Sequence, residues 1–288
     1  MKLVTFQTGA TPELGAVVGE DRIVPLSRLA PGLGADMIGL IASWSEAGPE
    51  ARRIADEARE TLPLGEARLL APIPRPGKIM AIGLNYADHV AESGMTKPEH
   101  QIWFSKASTS AWGPYAPVEV PSASRACDYE AELVAVIGVR ARHITRAAAR
   151  SVVFGWCVGD DVTARDWQHR TPQWVLGKSF DTHAPFGPWI TTADDVADPH
   201  DLAIRCFVNG EKRQDSNTRH MVFDVWAQIE HLSEAMTLEP GDLIFTGTPS
   251  GVGAAMSPRR FLSAGDRVRV EIDRLGAIEN VFEDEAAS

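Results

Sequence analysis

Short apolar runs separated by glycine, proline and acidic turns dominate this chain, and their spacing is mostly that of strands. Lys2-Leu3-Val4-Thr5-Phe6, Leu14-Gly15-Ala16-Val17-Val18 and Arg22-Ile23-Val24-Pro25-Leu26 read as short strands joined by Gly and Asp turns. Residues 36–46 and 50–61 carry a helical pattern, with Gly48-Pro49 expected to separate the two helices. Ala71-Pro72-Ile73-Pro74-Arg75-Pro76-Gly77 is a stiff, proline-rich connector. It predicts a small N-terminal domain over 1–71 and a larger one over 72–288. Beyond Lys78 the pattern predicts strands over 79–83, 102–104, 130–139, 152–158, 202–208, 242–245 and 267–272. Helical interruptions are expected near 88–93, 147–150 and 225–236. Strand-rich with scattered helices, this order predicts an α+β fold rather than a regular βαβ sheet.

Composition narrows the function classes. With 28 Lys and Arg against 39 Asp and Glu, the net charge is −11 and no basic arm is present, which argues against nucleic acid as a partner. The apolar run from Leu133 to Val139 is far too short to span a bilayer, so no membrane role is expected. Cys127, Cys157 and Cys206 are odd in number and lack zinc spacing, which suits reduced thiols of a cytoplasmic protein. The Met1-Lys2-Leu3-Val4-Thr5 start has no signal-peptide core.

The candidate chemistry begins with Asp128-Tyr129-Glu130-Ala131-Glu132-Leu133. On an extended strand Glu130 and Glu132 project to one face, and the strand continues as a run suited to burial. Buried carboxylates need a cation or strong pairing. Asp161, at the end of the next strand, would complete an all-oxygen site for a hard divalent ion. Asp160 or Asp166 could stand in its place, and spacing alone also allows a solvated sheet face for both glutamates. His89 and Glu92 share a helix face, so Glu92 could orient the imidazole as a general base, unless the two form a surface ion pair. Lys178, between Trp174 and Phe180, is placed to stabilise an enolate or carboxylate. Arg165 and Gln168 suit a carboxylate and a carbonyl oxygen, or surface solubility. The Gly-rich turn 246–253 lacks a P-loop ending and a dinucleotide fingerprint.

Together the segments Gly83 to His89, Phe104-Ser105-Lys106, Asp128 to Leu133, Asp161 to Asp166, Gly177-Lys178-Ser179-Phe180, Val208-Asn209-Gly210 and Thr246 to Gly253 resemble the fumarylacetoacetate hydrolase superfamily. They run in that family's order over nearly everything after Lys78; Ala107 departs from a common proline. The resemblance implies a mixed β-sheet roll behind a small α+β domain, and commonly a homodimer. It implies Glu130, Glu132 and Asp161 as ligands of Mg²⁺ or Mn²⁺, with Ca²⁺ also compatible with carboxylates. His89 and Glu92 would activate water, while Lys178, Arg165, Gln168, Gly247 and Thr248 would contact a small oxo acid substrate.

The expected reaction is hydrolysis of a carbon–carbon bond in a 2,4-dioxo acid of the acylpyruvate or diketo sugar acid type, with pyruvate released. Oxaloacetate decarboxylation and 2-hydroxydienoate isomerisation or hydration are alternatives on the same site. An inert metal-binding scaffold is the non-enzyme alternative. Met95 and the stretch 256–261 are the segments expected to border the far end of a substrate.

Overall fold

Two β-sheets packed face to face carry the fold in this computed structural model, which describes residues 1–94 and 96–286; Met95 lies outside the described residues. The larger sheet has twelve strands. Its main path runs Leu62–Pro63, Arg22–Val24, Glu13–Val18, Lys2–Gln7, Ala184–Thr192, Val153–Asp160, Ala131–Ile137, Leu243–Phe245, Ile79–Gly83 and Ile102–Lys106. The smaller sheet orders Glu211–Asn217, Ala203–Val208, Arg267–Ile272, Gly276–Asp284 and Val118–Val120. Most pairs are antiparallel, but Leu243–Phe245 runs parallel to Ile79–Gly83, so the sheet is mixed. The α+β class with a mixed sheet is as expected. The leading strands continue the larger sheet, because Lys2 and Leu3 pair with Thr191 and Ile190.

The Ala131–Ile137 strand carries the apolar run 133–137 because it is buried on both faces. Leu133, Ala135 and Ile137 point to the core between the sheets, where Trp156, Ile204, Val270 and Phe282 meet them. Val134 and Val136 point the other way, into a second core with Phe186, Phe245 and the N-terminal helices. At roughly 25 cal/mol per Å² of apolar surface, each such doubly buried residue contributes on the order of 2 kcal/mol. Period 2 puts Glu130 and Glu132 on the Val134 face. They are therefore carried into the protein by the strand's packing.

Two local expectations are corrected. Gly48-Pro49 does not separate helices but lies inside Trp44–Glu57. In the second turn of that helix Pro49 gives up the hydrogen bond its amide would make to the Ser45 carbonyl, and Gly48 admits the Trp44 ring, 2.8 Å from where a Cβ would stand. The break falls at Ser43, whose amide and hydroxyl both donate to the Gly39 carbonyl and close the Met37–Ala42 helix. The central strand Ala184–Thr192 was not anticipated, because Pro185 and Pro188 argue against a buried strand. The pairing shifts register between Trp156 and Val158, so Pro188 faces no ladder partner there. Among the described residues no helix is long and apolar enough to cross a membrane.

Candidate active site

Glu130 and Glu132 line a cavity of about 410 Å³ beside the 248–261 loop, and Asp161 meets them there from a fully buried position. Each offers one carboxylate oxygen, and these lie within 4.8 Å of one another. Strand pairing sets the geometry: Ala131 faces Asp160 across the ladder, and the Asp161 amide donates to the Glu130 carbonyl at 2.9 Å. Asp160 is turned away, its Oδ1 accepting the Glu130 amide at 2.7 Å. Asp166 is occupied too, accepting from Ser124 Oγ and the Arg125 amide. The choice among the three aspartates is thereby resolved by backbone direction.

The cations around this cluster are unevenly shared. Lys178 Nζ donates to Glu130 Oε2 at 2.7 Å and to Asp161 Oδ2 at 2.6 Å. Lys106 Nζ, fully sequestered, donates to Asp161 Oδ1 at 2.6 Å. Arg165 Nη1 lies 2.6 Å from Glu130 Oε1. Burial pushes the Glu130 carboxyl up, but Arg165, Lys178 and His89 outweigh it and hold the group well below the usual range. Burial likewise disfavours charge on Lys178, but Asp161 and Glu130 prevail and keep it cationic. For Lys106 burial wins over Asp161, and its pKa falls.

Glu132 is different. It accepts the Gly247 amide at 2.8 Å, and among the described residues no Lys or Arg pairs with it. Burial, Asp161 and Glu130 all push its carboxyl well up. A dry carboxylate with one hydrogen bond, beside two others, is the donor set a hard divalent cation fits. Gly247 is required for this contact: its φ is +99°, and a Cβ would stand 2.6 Å from Asn85 Cβ.

The remaining expected residues surround this floor. Arg165 and Gln168 both line the cavity, yet their functional atoms partly serve each other, with Arg165 Nη1 donating to Gln168 Oε1 at 3.1 Å. Arg165 Nε is clamped by Asp128 Oδ2 at 2.9 Å, so the guanidinium braces Glu130 before it meets any substrate. Thr248 lines the cavity, and its Oγ1 accepts from Gln214 Nε2 at 2.8 Å, which leaves the hydroxyl proton free to point inward. His89 also lines the cavity; its Nδ1 is 3.4 Å from Glu92 Oε2, longer than a good hydrogen bond. Both Glu92 oxygens accept the Gly251 amide, at 2.9 and 3.1 Å, while Ser250 Oγ donates to Asp88. Glu92 thus fastens its own helix, Ala87–Glu92, to the glycine-rich turn as well as facing His89.

Several participants were not assigned from sequence. Lys106 was visible as part of a motif, and strand spacing puts it on the Phe104 face. Asp128 was equally visible, but nothing local says that its oxygens take the Tyr129, Gly253 and Ala254 amides as well as Arg165. Gln214, on a polar edge strand, carried no signal at all. Within 256–261, Arg259 and Phe261 do border the cavity, as do His169 and Trp174.

Comparison with known proteins agrees with this construction. The family model for the fumarylacetoacetate hydrolase C-terminal domain matches residues 78–283. The chain is 43% identical over 285 residues to mitochondrial oxaloacetate tautomerase of Xenopus laevis, covering 97% of this chain and 89% of that protein. Fumarylacetoacetate hydrolase from Exiguobacterium antarcticum superposes with a TM-score of 0.89 at 35% identity, over 99% of this chain and 100% of the other. Maleylpyruvate hydrolase from a Sphingobium species, crystallised with manganese(II) and pyruvate, gives a TM-score of 0.83 at 33% identity with the same coverage. Sheet order, carboxylate cluster and likeness along the whole chain agree: the protein belongs to the fumarylacetoacetate hydrolase superfamily.

Proposed function

We propose that the chain is an enzyme that interconverts the keto and enol forms of a short 2-oxo dicarboxylic acid of the oxaloacetate type, using a divalent cation. The observation that carries this reading is Lys178, buried and held charged between Glu130 and Asp161 at the cavity floor. The keto and enol forms differ by one proton, moved between C3 and the oxygen on C2. A catalyst must stabilise negative charge on that oxygen and exchange a proton at C3. A divalent ion held by the three carboxylates would supply Lewis-acid polarisation of the 2-oxo group. Lys178 Nζ would donate to that oxygen as charge gathers on it. Toward the enol, His89 would take the C3 proton while Lys178 passes one to the C2 oxygen, water resetting both groups; the reverse forms the keto acid, with Glu92 fixing the helix that carries His89. Phe104, Trp174, Val252 and Phe261 wall the cavity and limit water at the reacting carbon. Likeness to the Xenopus oxaloacetate tautomerase supports the choice of reaction.

The expected carbon–carbon hydrolysis stands as a second reading, favoured by the His89–Glu92 pair facing the cavity and by likeness to maleylpyruvate hydrolase. There His89 would instead deprotonate water for attack on the C4 carbonyl of a 2,4-dioxo acid. Free, buried Cys127, Cys157 and Cys206 support placing either activity in a reducing intracellular compartment.

The test follows the enol absorbance of oxaloacetate with the Mn²⁺-loaded protein. Faster decay than in buffer plus Mn²⁺ is expected, with Lys178→Met lowering the rate about 10²–10³-fold. No acceleration, together with loss of diketone absorbance from acetylpyruvate, would replace the first reading by the second.

A further inference from the structure

Every cation at the cavity floor is already engaged by a carboxylate. Lys106, Lys178 and Arg165 are taken up by Asp128, Glu130 and Asp161. Arg259, by contrast, lines the same cavity near its solvent-facing rim, and among the described residues it makes no ion pair or hydrogen bond. Its neighbour Arg260 shows what an ordinary surface arginine does here: it pairs with Glu211. His169 lines the rim as well, and its pKa is lowered by partial burial and then by Arg165, Arg259 and Lys178. Apolar side chains also wall the cavity, Trp174, Val252 and Phe261 among them, while Phe104 lies at the floor with its ring 4.8 Å from Lys178 Nζ. An unpaired guanidinium beyond such walls suits a second carboxylate that projects away from the floor.

We propose that Arg259, with His169 also lining the rim, is the subsite for the distal carboxylate of a dicarboxylic 2-oxo acid. The proposal rests on the 2-oxo acid reading above and deepens it. A 2-oxo acid places its carboxylate and oxo oxygens at the floor, and nothing there answers a second negative group. Arg259 answers it at the other end and so makes the site select diacids over monoacids of equal length.

The experiment measures binding by titration calorimetry on the whole Mn²⁺-loaded chain and uses three probes that undergo no net conversion. Oxalate reports the floor alone. 2-Oxoglutarate and 2-oxopentanoate have the same chain length and differ in carboxylate against methyl at the far end. Wild type should prefer 2-oxoglutarate by about tenfold or more, the scale of one charge-assisted contact. Arg259→Met should erase that preference while oxalate affinity stays within about twofold. Arg259→Lys should keep part of it, and unchanged thermal melting of both variants checks the fold. Equal losses for all three probes, or an intact preference in Arg259→Met, would overturn the assignment. Oxalate binding in wild type without a 2-oxoglutarate preference would sink this subsite alone. No oxalate binding in wild type would remove the underlying reading, and the subsite with it.

Discussion

Replacing Asp128 by Asn should destabilise the protein by about 3–5 kcal/mol, although the side chain keeps its shape. The carboxylate is fully buried and accepts four donors. Oδ1 takes the Tyr129 amide at 3.0 Å and the Gly253 amide at 2.8 Å; Oδ2 takes the Ala254 amide at 3.0 Å and Arg165 Nε at 2.9 Å. An amide has one acceptor oxygen, so either orientation turns an NH₂ group toward two N–H donors. If it faces Ala254 and Arg165, two hydrogen bonds to an ionised carboxylate are lost, each of about 1.5–3 kcal/mol. The stranded guanidinium adds a desolvation cost, because Arg165 remains buried beside Glu130 with one partner fewer. Urea unfolding followed by both tryptophan fluorescence and far-UV circular dichroism gives the difference where the two probes coincide. A cycle with Arg165→Met isolates the pair and should return a coupling of at least about 1.5 kcal/mol. A single-mutant loss below about 1 kcal/mol, or strict additivity in the cycle, would refute the clamp.

Glu132→Gln should behave oppositely to a typical buried-ion mutation. Its carbonyl can still accept the Gly247 amide and no cation is orphaned, so metal-free stability should change by less than about 1 kcal/mol. The stabilisation by Mn²⁺, about 2.7 kcal/mol at a hundredfold excess over Kd in wild type, should vanish in a thermal-shift titration. His183 is fully buried, its Nε2 meets the Glu119 carbonyl at 3.0 Å, and burial lowers its pKa from 6.5 to about 3. Below pH 6.5 the unfolded chain takes a proton that the folded one refuses, so this contribution is complete above that pH and lost as pH falls toward 3. Wild type should lose up to about 1.4 kcal/mol per pH unit from this group across that window, and His183→Gln should flatten the slope in urea titrations at stepped pH. Gly253→Ala would put a Cβ 2.0 Å from the Arg260 carbonyl and 2.7 Å from Asp128 Oδ1. It should cost about 1–3 kcal/mol in the same unfolding assay, and a neutral result would show that the loop shifts freely.

What was legible in the chain depended on whether local spacing expressed the physics. The Ala131–Ile137 strand announced itself because, past Glu132, a run buried on both faces is apolar at every position. Ala184–Thr192 occupies an equally central place but hides behind two prolines: Pro188 falls at the register shift near Cys157, and Pro185 lies beside Trp112 of a short parallel strand. Glu211–Asn217 is polar along its length because it edges the smaller sheet, and its pairing with Ala203–Val208 comes from the partner strand's burial. The helix break at Ser43 was missed for a related reason: Gly48-Pro49 looks like a stop, but Gly48 is there to admit Trp44.

The site divides along the same line, and the division says where its chemistry is set. Glu130 and Glu132 are two apart on one strand, so their convergence is a local property that any reading of period 2 finds. Asp161 could be separated from Asp160 and Asp166 only by the hydrogen bond that ties it to Glu130 across the sheet. Lys106, Asp128 and Gln214 come from three different segments and acquire their roles only through partners far along the chain. The floor is therefore fixed by a strand motif, and its charge state by residues brought in from elsewhere. Two chains could share the carboxylate motif and still differ in which charges surround it. Among relatives whose names range from tautomerase to hydrolase, differences in reaction should be sought in those long-range partners and at the rim, where Arg259 and His169 stand, before they are sought in Glu130, Glu132 and Asp161.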